Sequence, residues 1–175
     1  MRTLNLNKNK QKGIGLLELM IAIGVSILIA IVVFATYNAL DNNNKNKDEI
    51  SNLSNLTTTI RNVFNTQSVY TGLANPVILK SATFPDRMRI PGNSSLIKHS
   101  WESDGVTVAS HTENYTDDSF RITYKDVPEG NCYDIISATY RHYVRVIVGS
   151  VTVNGVADAS RACSGATNDI IFQAR

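Results

Sequence analysis

Glu18 is the only formally charged residue between Ile14 and Tyr37, in an otherwise apolar run that also carries Gly24 and Ser26. A carboxylate inside such a run costs a few kcal/mol unless something answers its charge, so its chemistry is that of an ion-pair partner. The other residues with chemical potential lie far downstream. Cys132 and Cys163 are the only cysteines, and no further ligands at useful spacing accompany them to make a metal site. His99, His111 and His142 are scattered without metal spacing and read as solvated or core histidines. Glu102, Asp104 and His111 would make an acid–base set only if folding gathered them. The chain has no G-x-S-x-G, H-E-x-x-H or phosphate-binding glycine loop. We therefore expect no catalytic site, no cofactor and no metal.

The element that must position Glu18 is the apolar run itself. About 24 helical residues span roughly 36 Å, enough to cross a bilayer core with some tilt. A secretory signal has a shorter apolar core and a small-residue cleavage pattern after it, and neither is present, so the run should stay in the mature protein. Arg2, Lys8, Lys10 and Lys12 precede it. Positive charge is retained in the cytoplasm, which places residues 1–13 inside and everything after Tyr37 outside.

Lys12-Gly13-Ile14-Gly15-Leu16-Leu17-Glu18-Leu19-Met20-Ile21, behind that basic leader, resembles the class III signal of type IV pilin precursors. The resemblance implies that a prepilin peptidase cuts on the cytoplasmic side between Gly13 and Ile14. It also implies that Ile14 is then N-methylated and that Glu18 is the acid at the fifth mature position, acting as an assembly contact. Ile14 stands where type IVa pilins have Phe and where type IVb pilins more often have Met, Leu or Val. The partners implied are further copies of the chain in a homopolymeric filament, the peptidase, and the inner-membrane pilus assembly machinery.

Composition agrees with one modest domain plus a membrane segment. The net charge of +2 belongs to the precursor, because four of its 17 basic residues lie in the leader. Without them 13 basic side chains face 15 acidic ones, which gives little support for nucleic-acid binding. Residues 1–13 are thus expected to be a cleaved leader, 14–40 a transmembrane and filament-core helix, and 41–175 an exported globular domain. In the oxidising periplasm Cys132 and Cys163 are expected to pair, resembling the bond that closes the C-terminal region of pilins.

No proline occurs between Ile14 and Gln67, and apolar residues return at helical spacing after the Asn-rich stretch 42–46: Ile50, Leu53, Leu56, Ile60, Val63 and Phe64. One long helix over residues 16–66 follows, with a two-helix break at the asparagines as the alternative. Ala22, Ser26 and Ala30 make a small-residue edge on it. Asn75-Pro76 reads as a cap and first position of a short helix reaching residue 82. Strands are expected at 96–101, Val106–His111, 120–125, 144–148, 151–153 and 170–173, with a helix over 131–142.

The fold class is therefore α+β, a long N-terminal helix packed on an antiparallel sheet. This order, with the first cysteine on a helix in the C-terminal third, resembles the type IVb pilin plan. The stretches Val69-Tyr70-Thr71-Gly72-Leu73 and Phe84-Pro85-Asp86-Arg87-Met88 add to that likeness. The function implied is a structural subunit of a type IV pilus serving adhesion, aggregation or conjugation, held in the inner membrane before assembly and on the cell surface after it. The alternatives are a minor pilin, a type II secretion pseudopilin, or a signal-anchored periplasmic binding domain that never polymerises.

Overall fold

The computed structural model describes residues 15–175, apart from the side chains of residues 35, 38 and 39. The expected cut between Gly13 and Ile14 lies outside the described residues. Two compact units divide at Asp41/Asn42. The first is the apolar part of helix α1. That helix, Leu16–Val63, is assigned without a break through the Asn-rich stretch and ends three residues before the expected limit.

The second unit, from Asn42, is built on the later half of α1. Leu53, Leu56, Ile60 and Phe64 are buried there as the spacing predicts, each contributing about 1.5–3 kcal/mol. Ile50 is partly buried, while Val63 is exposed at the helix end and leaves the expected stripe. The asparagines do not break the helix because Asn46 is tied down. Its Nδ2 donates to Asp134 at 2.8 Å and its Oδ1 accepts from Asn131 at 2.7 Å, both on α3, Glu129–Thr139. A poor helix former is here held by tertiary bonds that outweigh its propensity.

The sheet is wholly antiparallel. Its strands are β1 (Val106–His111), β2 (Ser119–Pro128), β3 (Arg145–Val148), β4 (Val151–Thr152) and β5 (Thr167–Ala174), in the spatial order β1-β2-β5-β3-β4. Phe120, Ile122, Tyr124, Val146, Ile170 and Phe172 alternate toward the core with α1. A bulge between Tyr124 and Val127 lengthens β2 beyond the expected 120–125, with Asp126 taking a left-handed turn. The two-residue turn Gly149-Ser150 joins β3 to β4, as its composition suggests.

Several expectations need correction. Residues 96–101 are not a strand. Asn93 Oδ1 accepts from the Ser95 and Leu96 amides and curls the chain, leaving only Ile97 to bridge Arg89 and Val106. The short helix α2 covers only Asn75–Ile78 and is capped at Ala74, so Asn75 is not its cap. Asn75 instead faces β1, where Nδ2 donates to Val106 O at 2.9 Å and Oδ1 accepts from Val108 N at 2.8 Å. The helix expected over 131–142 starts earlier, as α3, and finishes as a 3₁₀ turn, Tyr140–His142. A fourth helix, α4 (Val156–Ala162), lies in a stretch too short and too small-residued to show a period.

The asparagine at β1 solves a problem of exposed edges. An edge strand presents unpaired backbone groups to any other chain. Here Val106 N–H donates to Ile97 O, and Asn75 takes the next carbonyl and amide. The opposite edge, β4, is only two residues long. Cys132 on α3 and Cys163 at the end of α4 are disulfide-bonded, with 31 residues of sequence separation.

Candidate functional site: the apolar helix and its acid

In α1, Gly15 O accepts from the Glu18 amide at 2.9 Å and from the Leu19 amide at 3.1 Å, so Glu18 sits in the first turn. A carboxylate there meets the positive end of the helix dipole, which favours it modestly. From Leu16 to Phe34 the 19 residues are apolar enough to cross a membrane and none is buried within the chain. At about 1.5 Å per residue they cover roughly 28 Å, close to a bilayer's hydrocarbon thickness.

The polar atoms of this helix are quiet. Ser26 Oγ donates to Ala22 O and Thr36 Oγ1 to Val32 O, both at 2.8 Å. Their hydroxyls therefore need nothing from lipid. Ala22, Ser26 and Ala30 recur at four-residue spacing, leaving one side of the helix low enough for close approach. Glu18 is the one group in the apolar segment whose charge must be answered from outside it. In chemical terms the helix offers a large apolar surface and a single anionic contact.

The other residues singled out from sequence are placed separately. Glu102 Oε1 accepts from the Ser103 amide and hydroxyl, which holds its carboxyl below the ordinary range and makes it a turn residue. The charged neighbours of His111 are Arg121, Glu113, Arg145 and Asp118, so Glu102, Asp104 and His111 do not form a set. His142 is exposed on the 3₁₀ turn. Among the described residues, no cluster of His, Cys, Asp or Glu could hold a metal ion.

His99 is a core histidine with a defined tautomer. Its Nδ1 accepts from the Trp101 and Glu102 amides at 3.1 and 3.2 Å, so the proton sits on Nε2, which donates to Lys125 O at 2.7 Å. The ring stacks on Tyr124 with centroids 5.3 Å apart and planes 7° from parallel. Burial pushes the His99 pKa down, against the Lys125 carbonyl and the Glu49, Glu102 and Asp126 carboxylates, which pull it up. Gly105 lies against the same ring, where an added Cβ would come within 2.2 Å of Nε2.

Sequence reasoning overlooked Glu49. It is 2 % exposed, and its Oε1 accepts from the Ser100 amide at 2.9 Å and the Ser100 hydroxyl at 2.7 Å. Burial holds the Tyr124 hydroxyl far above its ordinary range, and the nearby Glu49 carboxylate adds to the effect. Glu49 thus anchors α1 to the segment that carries His99. Its place four positions before Leu53 was the available signal, since that position falls on the buried face.

The family model for PilS, described as PilS N terminal, matches residues 43–175. Among solved structures, the chain is similar to the type IVb pilin from Salmonella typhi. The two are 19 % identical with a TM-score of 0.56, over 72 % of this chain and 97 % of that one. It is also similar to TcpA, a type IV pilin from Vibrio cholerae El Tor biotype. That pair is 10 % identical with a TM-score of 0.52, over 75 % of this chain and 99 % of that one. No curated protein matches the chain.

Proposed function

The chain belongs to the PilS family and is a type IVb-like pilin, and on that premise we propose that it is a filament subunit assembled through the first part of α1. The family and fold are those of structural subunits. What carries the reading is the apolar surface of Leu16–Phe34, unburied within the chain and bearing Glu18 as its one charge. Such a surface needs lipid before assembly and other copies of itself after it.

In this reading residues 1–13 are a leader removed by a prepilin peptidase, 14–40 form the membrane and core helix, and 41–175 form the exposed domain. Hydrolysis of the Gly13–Ile14 bond frees an α-amine on Ile14, which is then methylated and remains cationic. That amine lies four residues before Glu18 in the sequence. In a water-poor filament core each charge needs a close partner, so the amine of an incoming subunit meets Glu18 of one already in place. The apolar helix supplies most of the attraction and the ion pair sets the axial register. The inner-membrane assembly machinery holds the subunit as a single-pass protein with its leader inside, and the finished pilus stands on the cell surface.

The test combines processing and assembly. Mass spectrometry of surface material should find a mature chain beginning at methylated Ile14. Glu18→Ala and Glu18→Gln should be exported and folded yet give at least tenfold fewer filaments, on the order expected for a buried charge left without its partner. Normal filaments from either variant would overturn the pairing, and an intact leader on filaments would overturn the processing.

A further inference from the structure

The link between β4 and α4 holds Asn154-Gly155, the only asparagine in the chain that is followed by glycine. Glycine is needed where the backbone is left-handed or where a neighbour leaves no room for a side chain. Neither condition holds at Gly155. Its φ is −169°, extended backbone that any residue adopts, and an added Cβ would meet nothing within 4 Å. What glycine supplies here is a backbone nitrogen with no side chain to shield it.

Both groups that could react are left open to water. Asn154 is exposed, and its side-chain amide makes no hydrogen bond among the described residues. The Gly155 N–H likewise donates to none of them, while the Gly155 carbonyl starts α4 by accepting from the Asp158 and Ala159 amides at 3.0 and 3.1 Å. The chain is fixed just before: Val153 N donates to Val146 O at 2.9 Å and Asn154 N to Asp158 Oδ2 at 3.1 Å. Other asparagines of the globular unit are differently placed. The side chains of Asn46, Asn75, Asn93 and Asn168 are bonded into the fold, and Pro76 gives Asn75 no following N–H at all.

We propose that Asn154 is a self-modification site, converted without an enzyme to aspartate and isoaspartate. The Gly155 nitrogen attacks Cγ of Asn154, and the new N–Cγ bond closes a succinimide ring. Nδ2 leaves as ammonia, taking the proton that the Gly155 nitrogen gives up. Water then opens the ring at either carbonyl, its hydroxyl going to the carbon and its proton back to the nitrogen. Opening at Cγ gives aspartate, and opening at the backbone carbonyl gives isoaspartate, with the chain rerouted through the side chain. Either product places a new carboxylate near Asp158, which the Asn154 amide and Arg161 hold below the ordinary carboxylate range. The extra backbone carbon of isoaspartate shifts residue 154 against α4 and releases its bond to Asp158. Buried Ala159 and the disulfide at Cys163 keep the rest of α4 in place. The modification does not depend on the filament reading, and its test needs no filaments.

The full chain, held folded in detergent and mildly alkaline buffer, should release ammonia from this position ahead of its other asparagines. Peptide mass spectrometry should place the exchange of an amino for a hydroxyl group at residue 154, and isoaspartyl methyltransferase should label the same peptide. The rate should rise with pH, because the attacking nitrogen must give up its proton. Gly155→Ala adds a Cβ that shields the nitrogen without touching the fold, so it should keep the wild-type urea midpoint and convert about tenfold more slowly. Asn154→Gln, whose longer side chain closes the ring poorly, should give no labelled peptide. An Asn154 that survives in the folded chain yet converts in urea overturns the proposal, since the fold then protects the site. Gly155→Ala converting at the wild-type rate overturns it too. So does aspartate formed with no isoaspartate, the mark of direct hydrolysis.

Discussion

Replacing Gly105 by Ala should destabilise the globular unit through one side chain, that of His99. The glycine has no left-handed backbone to protect, so the effect is purely one of space. An alanine Cβ would come within 2.2 Å of Nε2 and 2.3 Å of Cδ2 of the His99 ring, and no such approach is tolerated. The ring must leave. Departure breaks the bond from Nε2 to Lys125 O and the two backbone bonds accepted by Nδ1. At about 1 kcal/mol each these come to about 3 kcal/mol, and loss of the stack on Tyr124 adds about 0.5–1.5 kcal/mol. Urea denaturation followed by the fluorescence of Trp101, the only tryptophan, reports the change close to its origin, since that ring lies 5.5 Å from His99. His99→Ala should cost a similar amount, and the double variant little more than His99→Ala alone, because both act through the same ring. A Gly105→Ala protein as stable as wild type would refute the reasoning. So would a double variant whose loss is the sum of the two singles.

Three further outcomes follow from the geometry. His99 has its pKa held below the ordinary 6.5 by burial, so the unfolded chain takes up a proton first as pH falls. Its contribution is complete above that value and is lost as pH drops through 6.5 toward the folded value, so urea midpoints should decline over this window, and His99→Phe should flatten the decline. Replacing Cys132 and Cys163 together by Ala should lower stability by about 3–4 kcal/mol, the chain-entropy value for a loop of this size, seen as a shifted midpoint that reductant no longer moves. An unchanged midpoint would show that the bond constrains little in the unfolded chain. Asn75→Ala removes two hydrogen bonds from the outer edge of β1, costing about 2 kcal/mol, and light scattering on partial denaturation should show faster aggregation than wild type.

The most local features were legible in the residues themselves. An apolar run of membrane length with one acid near its start needs no tertiary context, because bilayer thickness and the cost of a buried charge act on the segment alone. The stripe Leu53, Leu56, Ile60 and Phe64 declared its buried face by period, and Val106–His111 and the Gly149-Ser150 turn declared themselves by alternation and turn chemistry. Polar side chains gave no such notice. Asn46 looked like the weakest part of a long helix and Asn75 like a helix cap, the roles asparagine plays when only its own neighbours matter. In the folded unit their amides bond to α3 and to β1, residues about 85 and 31 positions away, and so they hold a helix and close a sheet edge. Glu49 and His99 likewise took their meaning from partners brought in by distant segments. Hydrophobic burial is written into a sequence as a period. The partner of a hydrogen bond is not, because direction and distance exist only once the chain has folded.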